Sequence, residues 1–239
     1  MAILTLNDKK IESLIRKAIL KFSLIDQNDC VAVALSGGKD SLCLLHMLHK
    51  INGFGIAKFN LHAIHIQNEL TLKNDPSNLL KTICNELNIP LHIQKVPLPK
   101  NSFSCYTCTR VRRTKLFEIA KTIGANKIAF GHHRDDNAQT LLMNMLHKSE
   151  FAGMLPKVYM HDYNNTIIRP LIYVAEKNII TYADCHHFLT SSCSCSFGEN
   201  TKRKQTEKLI QEMEKLYPNA RKHLSNISLN YGLNKALKK

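Results

Sequence analysis

The chain has 239 residues, 44% hydrophobic and 7% aromatic with no tryptophan, enough for one sizeable core but poor in the broad rings on which single-stranded RNA stacks. Against 19 Asp+Glu stand 33 Lys+Arg, a net charge of +14, which attracts polyanions through counterion release and makes nucleic acid the leading partner class ahead of a merely solvated basic surface. No apolar run approaches the ~18 residues of a membrane span, so no membrane partner is expected.

In chain order, "MAILTLNDKKIESLIRKAILKF" is charged too early for a secretory signal and turns helical, with Ile11, Leu14, Ile15, Ala18, Ile19 and Phe22 on one stripe. A cytoplasmic protein is expected, in which eight cysteines do not make a disulfide framework and clustered ones are candidate metal or redox ligands. Strands are then predicted at Cys30–Ser36, Lys58–Ile66, Leu91–Val96 and "NKIAFGHH". Helices alternate with them at "KDSLCLLHMLHKI", "SNLLKTICNELNI", "TRVRRTKLFEIAKTIG", closed by Gly124, and "DDNAQTLLMNMLHK". A fifth strand at Asn165–Ile172 and a helix through "EKNIITYADCHH" follow.

Beyond Thr190 the texture changes to a small-residue loop, "SSCSCSFGEN", and then to a basic helix, "TKRKQTEKLIQEMEKLY". Between Lys202 and Lys239 ten Lys/Arg face three Glu, half of the chain's positive excess, which suits an RNA-facing tail. The alternation predicts an α/β class with a doubly wound parallel sheet covered on both faces. An N-terminal helical segment (1–27) precedes the main domain (28–190), and a cysteine loop with a basic helical tail (191–239) follows it.

At Ser36-Gly37-Gly38-Lys39-Asp40-Ser41 a glycine-rich turn joins a buried strand to a helix. Such a turn exposes backbone N–H groups, the helix adds its positive end and the lysine a full charge, so the natural ligand is a polyphosphate. It is not a Walker A loop: that spacing needs Gly where Val33 stands, and Ser or Thr where Asp40 follows the lysine. A second glycine turn, "GHHRDDNAQTLL", starts another helix with Gly131, His132 and the paired carboxylates Asp135 and Asp136, groups suited to Mg²⁺ and nucleotide, although in isolation the carboxylates would serve equally as helix caps.

Cys105 and Cys108 open a helix at C-x-x-C spacing, where the helix field favours thiolate; a redox pair or plain core cysteines are the competing explanations. With Cys193 and Cys195 they make two close thiol pairs, which fit a closed zinc site or, with three ligands, an iron-sulfur cluster keeping one iron open. Arg112 and Arg113 follow Cys108 by one helical turn. Cys30, Cys43, Cys84 and Cys185 read as core residues, and His46, His62 and His92, which lack ligand spacing, as structural or surface groups.

Ser-Gly-Gly-Lys-Asp-Ser after a strand resembles the PP-loop family of N-type ATP pyrophosphatases. "CYTCTRVRRTKLFEIAKTIGANKIAFGHHRDDNAQTLLMNML", "GMLPKV" and "IIRPLIYVAEKNI" extend the likeness, over about Lys10 to Tyr217, to the TtcA group of tRNA 2-thiocytidine synthetases. The resemblance implies an adenine nucleotide alpha hydrolase-like fold and an ATP-dependent tRNA sulfurtransferase that adenylates the C2 oxygen of a pyrimidine, foremost cytidine. ATP, Mg²⁺ and a 4Fe-4S cluster are the implied cofactors. A cysteine desulfurase or sulfide is the implied sulfur donor, and a homodimer the implied assembly.

Residue by residue, the resemblance assigns nucleotide binding to Ser36, Gly37, Gly38, Lys39, Asp40, Ser41, His65, Gly131 and His132. Catalysis falls to Lys39, Asp135, Arg112 and Cys195, and the cluster to Cys105, Cys108 and Cys195. Cys193 is the alternative third ligand, because the group carries C-x-x-C in the later loop where this chain has C-x-C. The competing functions are a 2-thiouridine or lysidine synthetase type of PP-loop enzyme and a zinc-stabilised, non-catalytic RNA-binding protein. Lysidine synthetases do not need the cysteines, and the non-catalytic protein leaves the PP-loop unexplained.

Overall fold

The apolar run Cys30–Ala34 forms β1 at the centre of a six-stranded sheet in the order β3-β2-β1-β4-β6-β5. This computed structural model describes residues 5–68, 75–96, 105–188 and 202–231, side chains of 68 and 105–109 excepted. The other strands are β2 (Asn60–Asn68), β3 (Leu91–Val96), β4 (Lys127–Ala129), β5 (Lys157–Met160) and β6 (Asn165–Ile168). All neighbours pair in parallel except β5 with β6. The α/β class and the parallel winding are therefore as expected, while the antiparallel edge strand β5 went unanticipated.

Helices α1 (Leu6–Phe22), α2 (Lys39–Ile51), α3 (Ser77–Glu86) and α6 (Glu176–Cys185) share one face of the sheet. There Ile15, Leu45, Leu80 and Ile179 pack on Val31, Val33 and Ala63. The opposite side of the pleat, Ala32, Ile64, Ile128 and Ile167, meets Leu116, Phe117 and Ala120 of α4 (Cys105–Thr122). Alternate residues of β1 thus enter two different cores, which is why its sequence is continuously apolar.

β4 and β6 are shorter than the predicted strands. After Ala129 the chain bends into "FGHH", and after Ile168 Arg169 opens a turn at Pro170, which cannot donate to a ladder. Cys43 and Cys84 are buried as expected, whereas Cys30 is half-buried and Cys185 is exposed. Cys185 ends α6, whose packing stripe is Ile179, Tyr182 and Ala183.

The C-terminal segment holds α7 (Lys202–Leu216) and an unanticipated α8 (Ala220–Tyr231), and both dock on α5 (Arg134–Lys148). Ala138 and Leu142 meet Ile210 in a small apolar cluster. Beside it Asn137, fully buried, donates through Nδ2 to the Ser225 carbonyl (3.2 Å) and Oγ (3.0 Å). Its Oδ1 accepts from Met154 N (2.6 Å) and Ser228 Oγ (3.2 Å). No helix among the described residues is long and apolar enough to cross a membrane.

Asn137→Ala leaves the Met154 N–H and two serine groups buried without partners, so unfolding in urea should show a loss of about 1–3 kcal/mol. An unchanged midpoint would deny this amide its role in holding the C-terminal helices.

Candidate active site

The strand order reverses beside β1: the chain runs outward through β2 to β3 and returns to β4 on the other side. The loops leaving β1 and β4 consequently diverge, and the crevice between them is where parallel sheets bind ligands. The first is Leu35–Gly38, with Gly37 at φ +85°, a left-handed conformation that favours glycine.

Ser36 and Ser41 brace this loop. Their hydroxyls lie 3.1 Å apart, Ser41 Oγ donates to the Gly38 carbonyl (2.9 Å), and Gly38 N donates to Ser36 Oγ (3.2 Å). Gly38 caps α2 without any side-chain bond, while α1 and α5 both carry complete capping boxes. The first-turn N–H groups of α2 are thereby left for an anion.

The second loop presses against the first. A Cβ at Gly131 would stand 3.0 Å from the Asp40 carbonyl carbon and 3.1 Å from Ser41 N, so only glycine admits this approach. His133 caps α5: its Nδ1 accepts from Asp136 N (3.3 Å), and Asp136 Oδ2 accepts from His133 N (3.1 Å). With Nδ1 accepting, the proton of the neutral ring sits on Nε2, which stands 3.8 Å from Asp40 Oδ1 and 3.5 Å from Asp136 Oδ2.

Together the loops wall a cavity of about 510 Å³. Ser36, Asp40, Ser41, Gly131, His132, Asp136 and four arginines, Arg112, Arg113, Arg169 and Arg203, line it over an apolar floor. Four guanidinium groups against two carboxylates suit a polyanion. Among the described residues only Arg203 of the four has an ion pair, to Asp136 Oδ1 at 3.1 Å.

The expected residues do not all meet there. Lys39 turns behind its loop, to Glu176 Oε1 at 2.9 Å and Asp40 Oδ1 at 3.2 Å. Burial works against its charge, but these carboxylates outweigh burial and raise its pKa. His65 lies on the other side of the pleat from Ile64 and Ile66 and ties β2 to the end of β1 through Nδ1 and the Leu35 carbonyl (2.7 Å).

Asp135, the carboxylate that the resemblance makes catalytic, faces away from this cavity. Its Oδ2 accepts from Glu176 N (2.5 Å), and its Oδ1 lies 3.1 Å from Arg134 Nη2 and 3.4 Å from Arg221 Nε. Arg221, 8% exposed, also pairs with Glu207 (2.6 Å) and Glu214 (2.9 Å) beside a second cavity of about 370 Å³.

Asp136 takes the place in the main cavity. Asp40 Oδ1 is buried without a hydrogen bond, its charge met by the Lys39 ion pair, so two carboxylates line the cavity and fit a hard cation such as Mg²⁺. In the sequence Asp136 stands out only as one of a carboxylate pair, and Arg169 and Arg203 carry no spacing signal. Arg169 sits inside the quoted "IIRPLI", but only the fold brings it beside Arg113.

Cys105 and Cys108 lie in the first turn of α4, one turn ahead of Arg112, and two cysteines at that spacing fit an iron-sulfur cluster. Cys193 and Cys195 lie outside the described residues. Among the described residues no group of three metal-ligating side chains occurs.

The model of the PP-loop domain family matches residues 7–190. A tRNA-cytidine(32) 2-sulfurtransferase of Paraburkholderia xenovorans is 34% identical over 231 residues, covering 93% of this chain and 68% of that protein. One of Xylella fastidiosa is 36% identical over 219 residues, covering 88% and 73%. Among solved structures, the U34-tRNA thiolase NcsA from Methanococcus maripaludis with its 4Fe-4S cluster shares the fold, with a TM-score of 0.75 at 22% identity over 92% of this chain and 76% of that one.

Gly131→Ala should part the two loops by a few tenths of an ångström and weaken MgATP binding on the order of tenfold by calorimetry, the usual consequence of overpacking by one methyl. Equal affinity in the variant would show that the backbone contact does not shape the nucleotide site.

Proposed function

The chain belongs to the PP-loop family that includes the tRNA-cytidine(32) 2-sulfurtransferases, and from that membership we propose that it replaces the C2 oxygen of a tRNA cytidine with sulfur at the expense of ATP. The observation that carries this reading is the uncapped start of α2 held against Gly131, with Asp40, Asp136 and the arginines around one cavity. That arrangement suits the α-phosphate of a nucleotide and the pyrophosphate it releases.

In this mechanism the first-turn amides of α2 hold the phosphates, while Asp40 and Asp136 would hold a magnesium ion, whose charge would offset that of the phosphates. The C2 oxygen attacks the α-phosphorus, the bond to the bridging oxygen breaks, and pyrophosphate departs. Arg112, Arg113 and Arg203 stabilise the negative charge that grows on the leaving group. Lys39, paired with Glu176 at 2.9 Å beside the loop, adds its charge to the phosphate-binding end of α2. A sulfur nucleophile then adds to C2, the C2–O bond breaks, and AMP leaves.

A 4Fe-4S cluster held by Cys105, Cys108 and Cys195, or Cys193 in its place, supplies when bound an open iron for the incoming sulfur. The exposed Lys202, Lys204 and Lys208 on α7 offer charge to the tRNA backbone. Sulfide or a cysteine desulfurase as source, a homodimer as the working assembly and the cytoplasm as its place complete the reading.

Protein purified without oxygen should convert cytidine to 2-thiocytidine in tRNA, read by mass spectrometry of nucleosides, and release one pyrophosphate per thiolated base. Asp136→Asn should reduce both at least about 100-fold, the usual scale for losing a group that stabilises transition-state charge. Cys105→Ala should keep tRNA-dependent pyrophosphate release and abolish the thionucleoside. A wild-type enzyme that forms no thiolated base, or a stoichiometric zinc protein without ATP cleavage, would sink the assignment.

A further inference from the structure

The main cavity crosses four neighbouring strands. Ile64 and Ile66 of β2, Ala34 of β1, Phe130 just past β4 and Ile167 of β6 form its floor. At ~4.8 Å between strands it is roughly 14 Å wide. The phosphate loop rises from β1, so a flat ring has room on either side of the phosphates. The β2 side, with Leu35, Ile64 and Ile66, is apolar and suits adenine.

The β6 side has a different chemistry. The rings of Phe130 and His132 stack with centroids 5.6 Å apart at 21°. Arg169 stands next to them, anchored by its own N–H to the Pro156 carbonyl (2.9 Å) and by Nη1 to the Leu155 carbonyl (2.5 Å). With Nη1 committed, the Nε edge is the free one, and Nε has no partner. Burial and the neighbouring Arg113 lower the Arg169 pKa to about 10, which still leaves it charged at neutral pH.

His132 Nδ1 is likewise buried without a partner. Burial, reinforced by Arg169, pushes the His132 pKa down to about 4, so the ring is neutral and one of its nitrogens accepts. Two buried polar atoms without partners on one wall are costly unless a ligand completes them.

We propose that this wall reads the target base and that Arg169 selects cytosine over uracil by donating to N3, with His132 accepting from the 4-amino group. The inference rests on the tRNA-cytidine reading above and adds the residues that would enforce it. Cytosine presents an acceptor at N3 beside its 4-amino donor, whereas uracil presents a donor at N3 beside an acceptor at O4. Guanidinium has five donors and no acceptor, so a uracil N3–H would face another N–H and both would lose their partners. Extruded bases are commonly read by hydrogen bonds to their Watson–Crick edge together with stacking on aromatic side chains.

The test uses two tRNA transcripts that differ only in C or U at the target nucleotide, with tRNA-dependent pyrophosphate release as the readout. Wild type should favour the cytidine transcript on the order of 10- to 100-fold. Arg169→Gln, whose amide both donates and accepts, should bring the ratio towards one. His132→Phe, which keeps the ring stack, should lose activity on the cytidine transcript alone.

If Arg169→Gln slows both transcripts equally and keeps the wild-type ratio, the proposal is overturned. Should Arg169→Gln fail to fold, Arg169→Lys decides: one flexible ammonium in place of the fixed guanidinium edge should reduce the ratio, and an unreduced ratio overturns the assignment. A wild-type enzyme that acts on neither transcript, or on uridine, refutes the cytidine reading itself, an outcome distinct from failure of the Arg169 assignment.

Discussion

The site depends on one close approach, the backbone at Gly131 lying against Asp40 and Ser41. That contact requires β1 and β4 to end at matching heights, and their register, Val31 opposite Lys127 and Val33 opposite Ala129, sets those heights. At the far end of the same strands the Lys127 ammonium, 6% exposed, is held by Asp29 Oδ2 at 2.5 Å and Asp26 Oδ2 at 2.7 Å. Burial opposes ionisation of Asp29, but Lys127 outweighs it and keeps the carboxylate's pKa low. A buried cation needs its counter-charges to remain buried, so a slip of β4 would strand it. The ion pair at one end of the two strands thus guards the loop contact at the other.

The alternation of strand and helix could be read from the sequence because apolar periodicity is a strong signal where both faces of a sheet are covered. The two elements that escaped have weak patterns for definite reasons. In β5, Lys157 and Tyr159 are exposed and Val158 and Met160 only half-buried, so an edge strand of four residues offers little contrast. In α8 the buried positions include Ser225 and Ser228, which pack by hydrogen bonding to Asn137 rather than through an apolar stripe.

The site was legible to a similar depth. The glycine turn announced phosphate because its chemistry is local, and the second glycine turn likewise lies in the cavity wall. Choosing between Asp135 and Asp136 needed the helix phase: consecutive residues on a helix point about 100° apart, so the pair cannot share one target. One carboxylate enters the cavity, and the other joins Arg221 and the amide of Glu176. Arg169 and Arg203 could not be found by spacing, since they reach the cavity from a turn after β6 and from a helix after α6.

The network around Arg221 and Asn137 has a consequence for how the protein is made. Asn137 meets its partner Ser225 across 88 residues, and Asp135 meets Arg221 across a comparable stretch, so α5 leaves the ribosome well before the groups that satisfy it. Until α8 has emerged, an amide and a carboxylate destined for burial must stay hydrated, and α5 cannot seal the crevice beside it. Completion of the reaction centre therefore waits on the synthesis of α8, and α7 and α8 fasten a site whose phosphate loop is made far earlier.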